Sequence, residues 1–430
     1  MRYEETIEYL FGLQKHGMKF GLDNIRRLLA AFGNPQNSFR CVHVAGTNGK
    51  GSTCATIESI LRTSGAKTGL FTSPHLVSFT ERIRVNGAEI SENEVIGLAA
   101  EVRSVVEAMQ DFHPTFFEVV TAIGFLHFQR AGVEWAVVEV GMGGRLDSTN
   151  VLIPEVSVIT PVDVDHSEYL GSTLAEISRE KAGIIKPNVP VVLSRQKPEA
   201  LDVLLGSAQE KGAPAFCLGR DFAVEPDSSS DAFSYRGLDS YAGLVSGLKG
   251  GHQHMNAGTA IRTVEELCRA NPDLRCDMRA GVAAVSWPGR FETVKQAPRV
   301  IIDGAHNPAA AETLAAELKR LPGGCRPVLV IGVMGDKDIR GILRPLLPLA
   351  SGIVFASPAY GRSAPAGHLQ KLASEMGFSS GTAASVAEAV AEAERLAGNS
   401  GLVVVTGSFY TIGEAKEALG HKGVLTRLRE

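Results

Sequence analysis

Apolar residues along the chain fall into two alternating series. After an amino-terminal stretch of helical periodicity, the short β-branched runs RCVHVAG, KTGLFTS, EWAVVEVG and EVSVITPVDVD are separated by segments whose apolar residues recur at helical spacing. Near-continuous apolar strands divided by helices imply a mainly parallel sheet covered on both faces. One intervening segment, TFFEVVTAIGF, reads as a buried helix with Phe117, Val120 and Gly124 on a shared face. The stretch from Asp221 to Gly251 is richer in Ser, Gly and Asp and reads as strands and loops at the sheet margin. The helical pattern HMNAGTAIRTVEELCRA then runs to a boundary at SWPGRF, where Pro288 and Gly289 interrupt regular structure. Beyond it the runs RVIIDGAH, RPVLVIGVM, GIVFASPAY and GLVVVTGSFY alternate with Ala-rich helical segments. The expected architecture is α/β, with a larger domain over residues 1–286 and a smaller carboxy-terminal α/β domain over 287–430.

Length agrees with that division, since 430 residues exceed what one hydrophobic core usually serves. A net charge of −4 shows no basic excess, so nucleic acid is not an expected partner. The six cysteines, Cys41, Cys54, Cys217, Cys268, Cys276 and Cys325, form no C-x-x-C pair, which argues against a zinc site or a disulfide framework. The amino terminus carries acids near its start, and no apolar run reaches about 18 residues. A cytoplasmic chain without a membrane partner is the expectation.

The stretch VHVAGTNGKGSTCATIESIL, residues 42–61, reads as strand, glycine-rich loop and helix. It departs from the usual phosphate loop, in which Ser or Thr follows the lysine directly: here Gly51 follows Lys50, and the hydroxyls stand at Ser52 and Thr53. Gly46, Gly49 and Gly51 allow the backbone close to an anion, the amides are expected to point inward, and the helix adds its positive end. Lys50 would neutralise phosphate oxygens. The larger domain is therefore expected to be a phosphate-loop ATPase domain. Ligands of open parallel sheets lie at the carboxyl ends of the strands. Ser73 ends KTGLFTS, Glu139 ends EWAVVEV and His166 follows VSVITPVDVD, so a hydroxyl, a carboxylate and an imidazole could together hold a divalent cation. Taken singly, Ser73 could cap a turn, Glu139 could pair with Arg145, and His166 could be a loop histidine. Lys181, in SREKAGIIKP, reads from spacing alone as a solvated helix lysine. GMGG after the third run lacks the G-x-G-x-x-G pattern of a dinucleotide site, which counts against an oxidoreductase.

Taken together, GTNGKGS, TSPHL, EVGMGGRLDSTN, DHSEYLG, REKAGI, PGRFE and DGAHNP occur in an order that resembles the bifunctional folylpolyglutamate synthase/dihydrofolate synthase family of the Mur ligase superfamily. The glycine after the loop lysine is typical of that family. The resemblance implies ATP and Mg2+ as cofactors. It implies that Thr47, Asn48, Gly49, Lys50, Gly51 and Ser52 form the phosphate site, completed by Asn256 and, from the second domain, Arg290 and Asp303. Ser73, Glu139 and His166 would ligate magnesium, and Lys181 would be a carbamylated lysine serving a second metal. Around dihydropteroate it places Lys19, Phe20 and Gly21, then Thr115, Phe116, Phe117 and Glu118, then Leu146, Asp147 and Ser148.

The expected reaction is ATP-dependent addition of L-glutamate to dihydropteroate and to reduced folates through an acyl phosphate. Lys50, His166, Lys181 and Arg290 are the residues expected to carry the chemistry, in a monomer. A folylpolyglutamate synthase without the dihydropteroate activity, or a nucleotide-dependent switch that hydrolyses ATP without ligation, would share the phosphate loop. A cell-wall Mur ligase is expected to place a sizeable domain ahead of that loop, which here begins at Gly46.

Overall fold

The computed structural model describes residues 2–16, 21–227 and 230–420. Strands β1 (Arg40–Ala45), β2 (Thr68–Phe71), β3 (Ile83–Val85), β4 (Ala88–Glu89), β5 (Trp135–Glu139), β6 (Val156–Ile159), β7 (Val191–Leu193) and β8 (Ala215–Cys217) form one sheet in the order 4-3-2-5-1-6-7-8. Every pairing from β2 to β8 is parallel, and only the β2–β3–β4 margin is antiparallel. The central strand β1 is buried from Cys41 onward, as its apolar run requires. Because side chains alternate across a strand, Val42 and Val44 pack with the helices Lys50–Thr63 and Gly251–Ala270 on one face. Cys41 packs with the helix Phe116–Ala131 on the other.

The Ser- and Gly-rich stretch does not lie at the margin of this sheet. It forms a separate antiparallel sheet of β9 (Ala223–Pro226), β10 (Ala232–Arg236) and β11 (Ser240–Val245). Phe233, Tyr235 and Leu244 are buried in one cluster with Ala257, Ile261 and Val264 of the helix Gly251–Ala270. Tyr235 also donates a 2.7 Å hydrogen bond to Glu265 Oε2 of that helix. An apolar face with a helix to cover gains more by lying on it than by lengthening an edge strand.

The second sheet comprises β12 (Glu292–Gln296), β13 (Arg299–Ile302), β14 (Val328–Ile331), β15 (Gly352–Phe355), β16 (Gly381–Thr382) and β17 (Leu402–Thr406) in the order 12-13-17-14-15-16. All its pairings are parallel except β12–β13. Aliphatic clusters cover both of its faces. The helix Pro308–Lys319 borders the first domain: Asn307 caps its amino end, and Glu317 near its carboxyl end accepts the Gly251 N–H at 2.8 Å. No described helix is long and apolar enough to cross a membrane.

Candidate active site

The loop between β1 and the helix Lys50–Thr63 is shaped as an anion cradle. Gly49 is the helix N-cap with φ 86°, a left-handed conformation that glycine tolerates best. A Cβ there would fall 2.6 Å from Asn256 Oδ1, which brings Asn256 against the loop from the other helix. The first helical hydrogen bond runs from Thr53 N to Gly49 O at 2.9 Å, so the amides from Gly49 to Ser52 have no acceptor within the helix. Inward-facing amides were expected along the whole loop, and there the structure differs. The N–H groups of Thr47 and Asn48 both donate to Pro161 O, because the loop is stitched to the segment after β6, and the cradle begins only at Gly49. The Thr47 hydroxyl reinforces the stitch through Asp163. Lys50 curls over the loop and donates to Thr47 O at 3.1 Å, while Gly51 and Ser52 are buried in the first helical turn.

The strand-end residues converge on Lys50. Glu139 ends β5 beside Val44 of β1 and accepts the Ser73 N–H at 3.2 Å. Burial pushes its carboxyl up, opposed by Lys50, the Ser73 amide, Arg290 and Arg82. Arg145 takes Glu180 as its partner at 2.9 Å, which leaves Glu139 facing the loop lysine. His166 has φ 52° and heads the short helix Ser167–Leu170. Although 44% of its side chain stays accessible, desolvation lowers its pKa to about 4, helped by Lys337, Lys50 and His306 against Asp165. The ring is therefore neutral near neutrality, the form that can ligate a metal.

Lys181 is not a solvated helix lysine. Only 4% of it is exposed, because the helix Leu174–Ala182 turns this residue toward the loop, where Nζ donates to Gly46 O at 2.8 Å. Burial first, then the charge of Lys50, lowers its pKa to about 7. Its amine thus has a substantial neutral fraction, the form that attacks CO2. Lys50 acts electrostatically on Glu139, His166 and Lys181 alike. Among the described residues no group of three or more His, Cys, Asp or Glu is arranged for a metal. A site here would have to mix a carboxylate, a neutral imidazole, a hydroxyl and Lys181, and only a carbamylated Lys181 would make the set mainly oxygen, as magnesium takes.

The second domain contributes Arg290 and Asp303. Asp303 follows β13 and accepts from the amides of Phe291 and Ala305, each at 3.0 Å. The Arg290 guanidinium lies 4.8 Å from the Phe409 ring centroid and is coupled electrostatically to Asp303 and, across the cleft, to Glu139. Burial pushes the Arg290 pKa down and the Asp303 carboxyl up.

Four residues without a role in the sequence reading tie the domains together at this point. Asn48 and Asn307 exchange side-chain hydrogen bonds of 3.3 and 3.0 Å, and Asn307 Nδ2 also donates to Asp165 Oδ2 at 3.3 Å. Lys337 Nζ stands 2.7 Å from Asp165 Oδ1, and His306 Nε2 stands 3.6 Å from Asp165 Oδ2. Burial alone would raise the Asp165 carboxyl. The adjacent imidazoles of His306 and His166 and the Lys337 ammonium hold it well below the usual range instead. Three of these residues sat within quoted motifs, Asp165 in DHSEYLG and His306 and Asn307 in DGAHNP, but nothing local marked Lys337.

On the other side of the loop, Phe117, Gly141 and Asp147 meet. A Cβ on Gly141 would fall 2.5 Å from the Phe117 ring and 3.1 Å from Asp147 Oδ2. TFFEVVTAIGF is the buried helix expected, spanning Phe116–Ala131. Thr115 and Glu118 close its capping box, with Thr115 N donating to Glu118 Oε2 at 2.7 Å. Phe116 stacks on Phe11 with centroids 5.0 Å apart. Leu146 is half-buried, and Ser148 opens the short helix Ser148–Val151 capped by Asp147. Gly21 stands two residues before the helix Asp23–Ala31, while Lys19 and Phe20 lie outside the described residues.

A phosphate-type loop faced across a cleft by an arginine and an aspartate from a second parallel-sheet domain defines a two-domain ligase. Residues 44–263 match the Mur ligase middle domain, and residues 289–409 match the Mur ligase glutamate ligase domain. The dihydrofolate synthase/folylpolyglutamate synthase of Bacillus subtilis is 37% identical over 427 residues, covering 97% of this chain and 99% of that protein. The Escherichia coli protein of the same description is 36% identical, covering 96% and 94%. Among solved structures, Mycobacterium tuberculosis folylpolyglutamate synthase complexed with ADP superposes with a TM-score of 0.89 at 34% identity, covering 98% of this chain and 99% of that one. Escherichia coli FolC in complex with DHPP and ADP gives 0.86 at 33% identity, covering 97% and 98%. The chain belongs to the Mur ligase family, and within it to the dihydrofolate synthase/folylpolyglutamate synthases, ATP-dependent ligases that join glutamate to folates.

Proposed function

We propose that this chain adds L-glutamate to dihydropteroate and to reduced folates with ATP and Mg2+, using one cleft between a domain ending near residue 286 and a second beginning at 287. The observation that carries the reading is the meeting of the phosphate loop with the second domain, where Asn48 and Asn307 exchange side-chain hydrogen bonds, beside Arg290 and Lys50, which both act on the Glu139 carboxylate. In the reaction the acceptor carboxylate attacks the γ-phosphorus of ATP and ADP leaves. The amine of glutamate then attacks the acyl phosphate carbon, phosphate leaves, and the amine proton is lost to solvent. The Gly49–Ser52 amides, Lys50 and Arg290 stabilise negative charge on the transferring group, commonly the largest protein contribution to phosphoryl transfer. Thr47 and Asn48 set the loop, and Asn256 and Asp303 hold the nucleotide from opposite sides. Ser73, Glu139, His166 and a carbamylated Lys181 would hold Mg2+, which when bound neutralises phosphate oxygens.

Phe117, Asp147 and their neighbours from Thr115 to Glu118 and Leu146 to Ser148 form the pterin side. A carboxylate suits a pterin, whose ring N–H and amino groups are donors. The protein would act as a cytoplasmic monomer. The test is the purified protein with ATP, Mg2+, glutamate and either dihydropteroate or tetrahydrofolate, following ADP and product mass. Glutamate-dependent ADP release with a glutamylated product in both cases is expected. ADP released without any product would instead identify a switch ATPase, and consumption of the folate alone would remove the dihydropteroate activity.

A further inference from the structure

His43 lies within β1, three residues before Gly46, and is wholly buried. Its neighbours in the strand are aliphatic or small, and a leucine would fill the place without a polar group to satisfy. The imidazole instead reaches the loop after β5: Nε2 is 2.8 Å from Thr149 Oγ1. Thr149 in turn donates its hydroxyl to Asp147 Oδ1, which also accepts the Thr149 N–H at 3.0 Å. The other Asp147 oxygen, Oδ2, accepts the Met142 N–H at 2.9 Å and would lie 3.1 Å from a Cβ at Gly141, the same point that the Phe117 ring approaches. His43 Nδ1 has no hydrogen-bond partner.

The proton count along this row fixes its direction. The Thr149 hydroxyl has one proton, and an ionised Asp147 takes it, so the Thr149 oxygen must accept from His43. That requires the tautomer protonated at Nε2, and the unpartnered Nδ1 is then a bare lone pair. The opposite direction needs a protonated Asp147 and places an N–H at Nδ1 with nothing to receive it, and orphaned N–H groups are the rarer kind in protein interiors. Burial also favours a neutral ring, with a pKa lowered to about 3. Each group in the row thus points a donor toward Asp147, whose carboxyl burial pushes up against the opposing hydrogen bonds from Thr149, Met142 and Gly141.

We propose that His43 is a positioning residue for the pterin subsite, holding the Thr149 hydroxyl so that Asp147 meets the acceptor as an oriented carboxylate. The proposal rests on the reading of Asp147 as a pterin contact. Dihydropteroate, which has no glutamate of its own to bind elsewhere, depends most on that contact. His43 bonds to Thr149 and acts through it.

The test compares His43→Leu, His43→Gln and Asp147→Asn in steady-state kinetics with dihydropteroate, alongside thermal unfolding. Losing a hydrogen bond that orients a charged group raises the dihydropteroate KM about tenfold in His43→Leu, with kcat and the ATP KM within about twofold of wild type. His43→Gln, whose amide N–H lies near the Nε2 position, recovers most of the loss, and Asp147→Asn raises KM at least as far as His43→Leu. A wild-type KM in folded His43→Leu with a raised KM in Asp147→Asn overturns the role of His43 while the subsite stands. A wild-type KM in both removes the subsite and the proposal with it. Should His43→Leu not fold, 15N chemical shifts of the wild-type imidazole decide: protonation at Nε2 supports the row, and protonation at Nδ1 overturns it.

Discussion

Lys337 reaches from the second domain into the first and places its ammonium 2.7 Å from Asp165 Oδ1, where both side chains are almost fully enclosed. With the Asn48–Asn307 amide exchange beside it, this ion pair fastens the domains next to the phosphate loop. Removing one member of a buried pair leaves the other charge poorly compensated, at a typical cost of about 3–5 kcal/mol. Asp165 keeps His306 and Asn307, so Lys337→Ala should destabilise by about 3 kcal/mol or less. It should also enlarge the radius of gyration as the cleft opens. Urea unfolding and small-angle scattering check both effects, and a variant matching wild type in each would mean that the pair does not fasten the domains.

Lys50 is half-buried and donates a hydrogen bond to Thr47 O at 3.1 Å. Lys50→Ala should therefore abolish ligation of both acceptors while leaving thermal unfolding nearly unchanged. Gly49→Ala should fail for another reason: a side chain at φ 86° costs roughly 1–3 kcal/mol, and its Cβ would press on Asn256. Isothermal titration with ADP should show weakened binding in both. Turnover near wild type in a folded Lys50→Ala protein would exclude the loop lysine from the chemistry.

Glu139 and His166 share the charge of Lys50 but sit differently, one buried at a strand end and the other partly open in a loop. If both serve Mg2+, Glu139→Gln and His166→Ala should each raise the Mg2+ concentration for half-maximal turnover by roughly tenfold or more. Chelation of the metal should stop the wild type. Identical Mg2+ titrations in all three proteins would take both residues out of the metal site.

The Lys181 ammonium would be costly where it lies, enclosed and near Lys50. Carbamylation replaces that cation with a carboxylate. Lys181→Ala should lose turnover, and a short carboxylic acid in the buffer should restore part of it. Added bicarbonate should stimulate wild type alone. A fully active Lys181→Ala protein, or an unmodified amine in a high-resolution map of the active enzyme, would contradict the modification.

Local pattern was enough for the elements and the loop. Each of the eight quoted apolar runs contains a strand of a parallel sheet: β1, β2, β5 and β6, then β13, β14, β15 and β17. Period and length are properties of a few neighbouring residues. The same holds for the glycine-rich turn at Gly49, because its conformation and the adjoining helix start are dictated within the segment itself. Thr115 and Glu118 show where a local reading has two uses for one side chain: three residues apart at a helix start, they close a capping box.

What the chain order by itself determined, then, was two α/β domains, a phosphate loop, and a set of polar residues at strand ends. Only the tertiary structure decided that Lys181 is enclosed, that the three-stranded sheet lies on a helix, and that Arg145 pairs with Glu180 and leaves Glu139 to the loop. It also decided the clasp of Asp165 with Lys337, 172 residues apart, and the row from His43 through Thr149 to Asp147. Periodicity, propensity and turn chemistry act over one or two turns of chain. Burial, ion pairing and the direction of a hydrogen bond depend on which distant segments the closed core brings into contact, so these residues acquire their environment only after both sheets have formed.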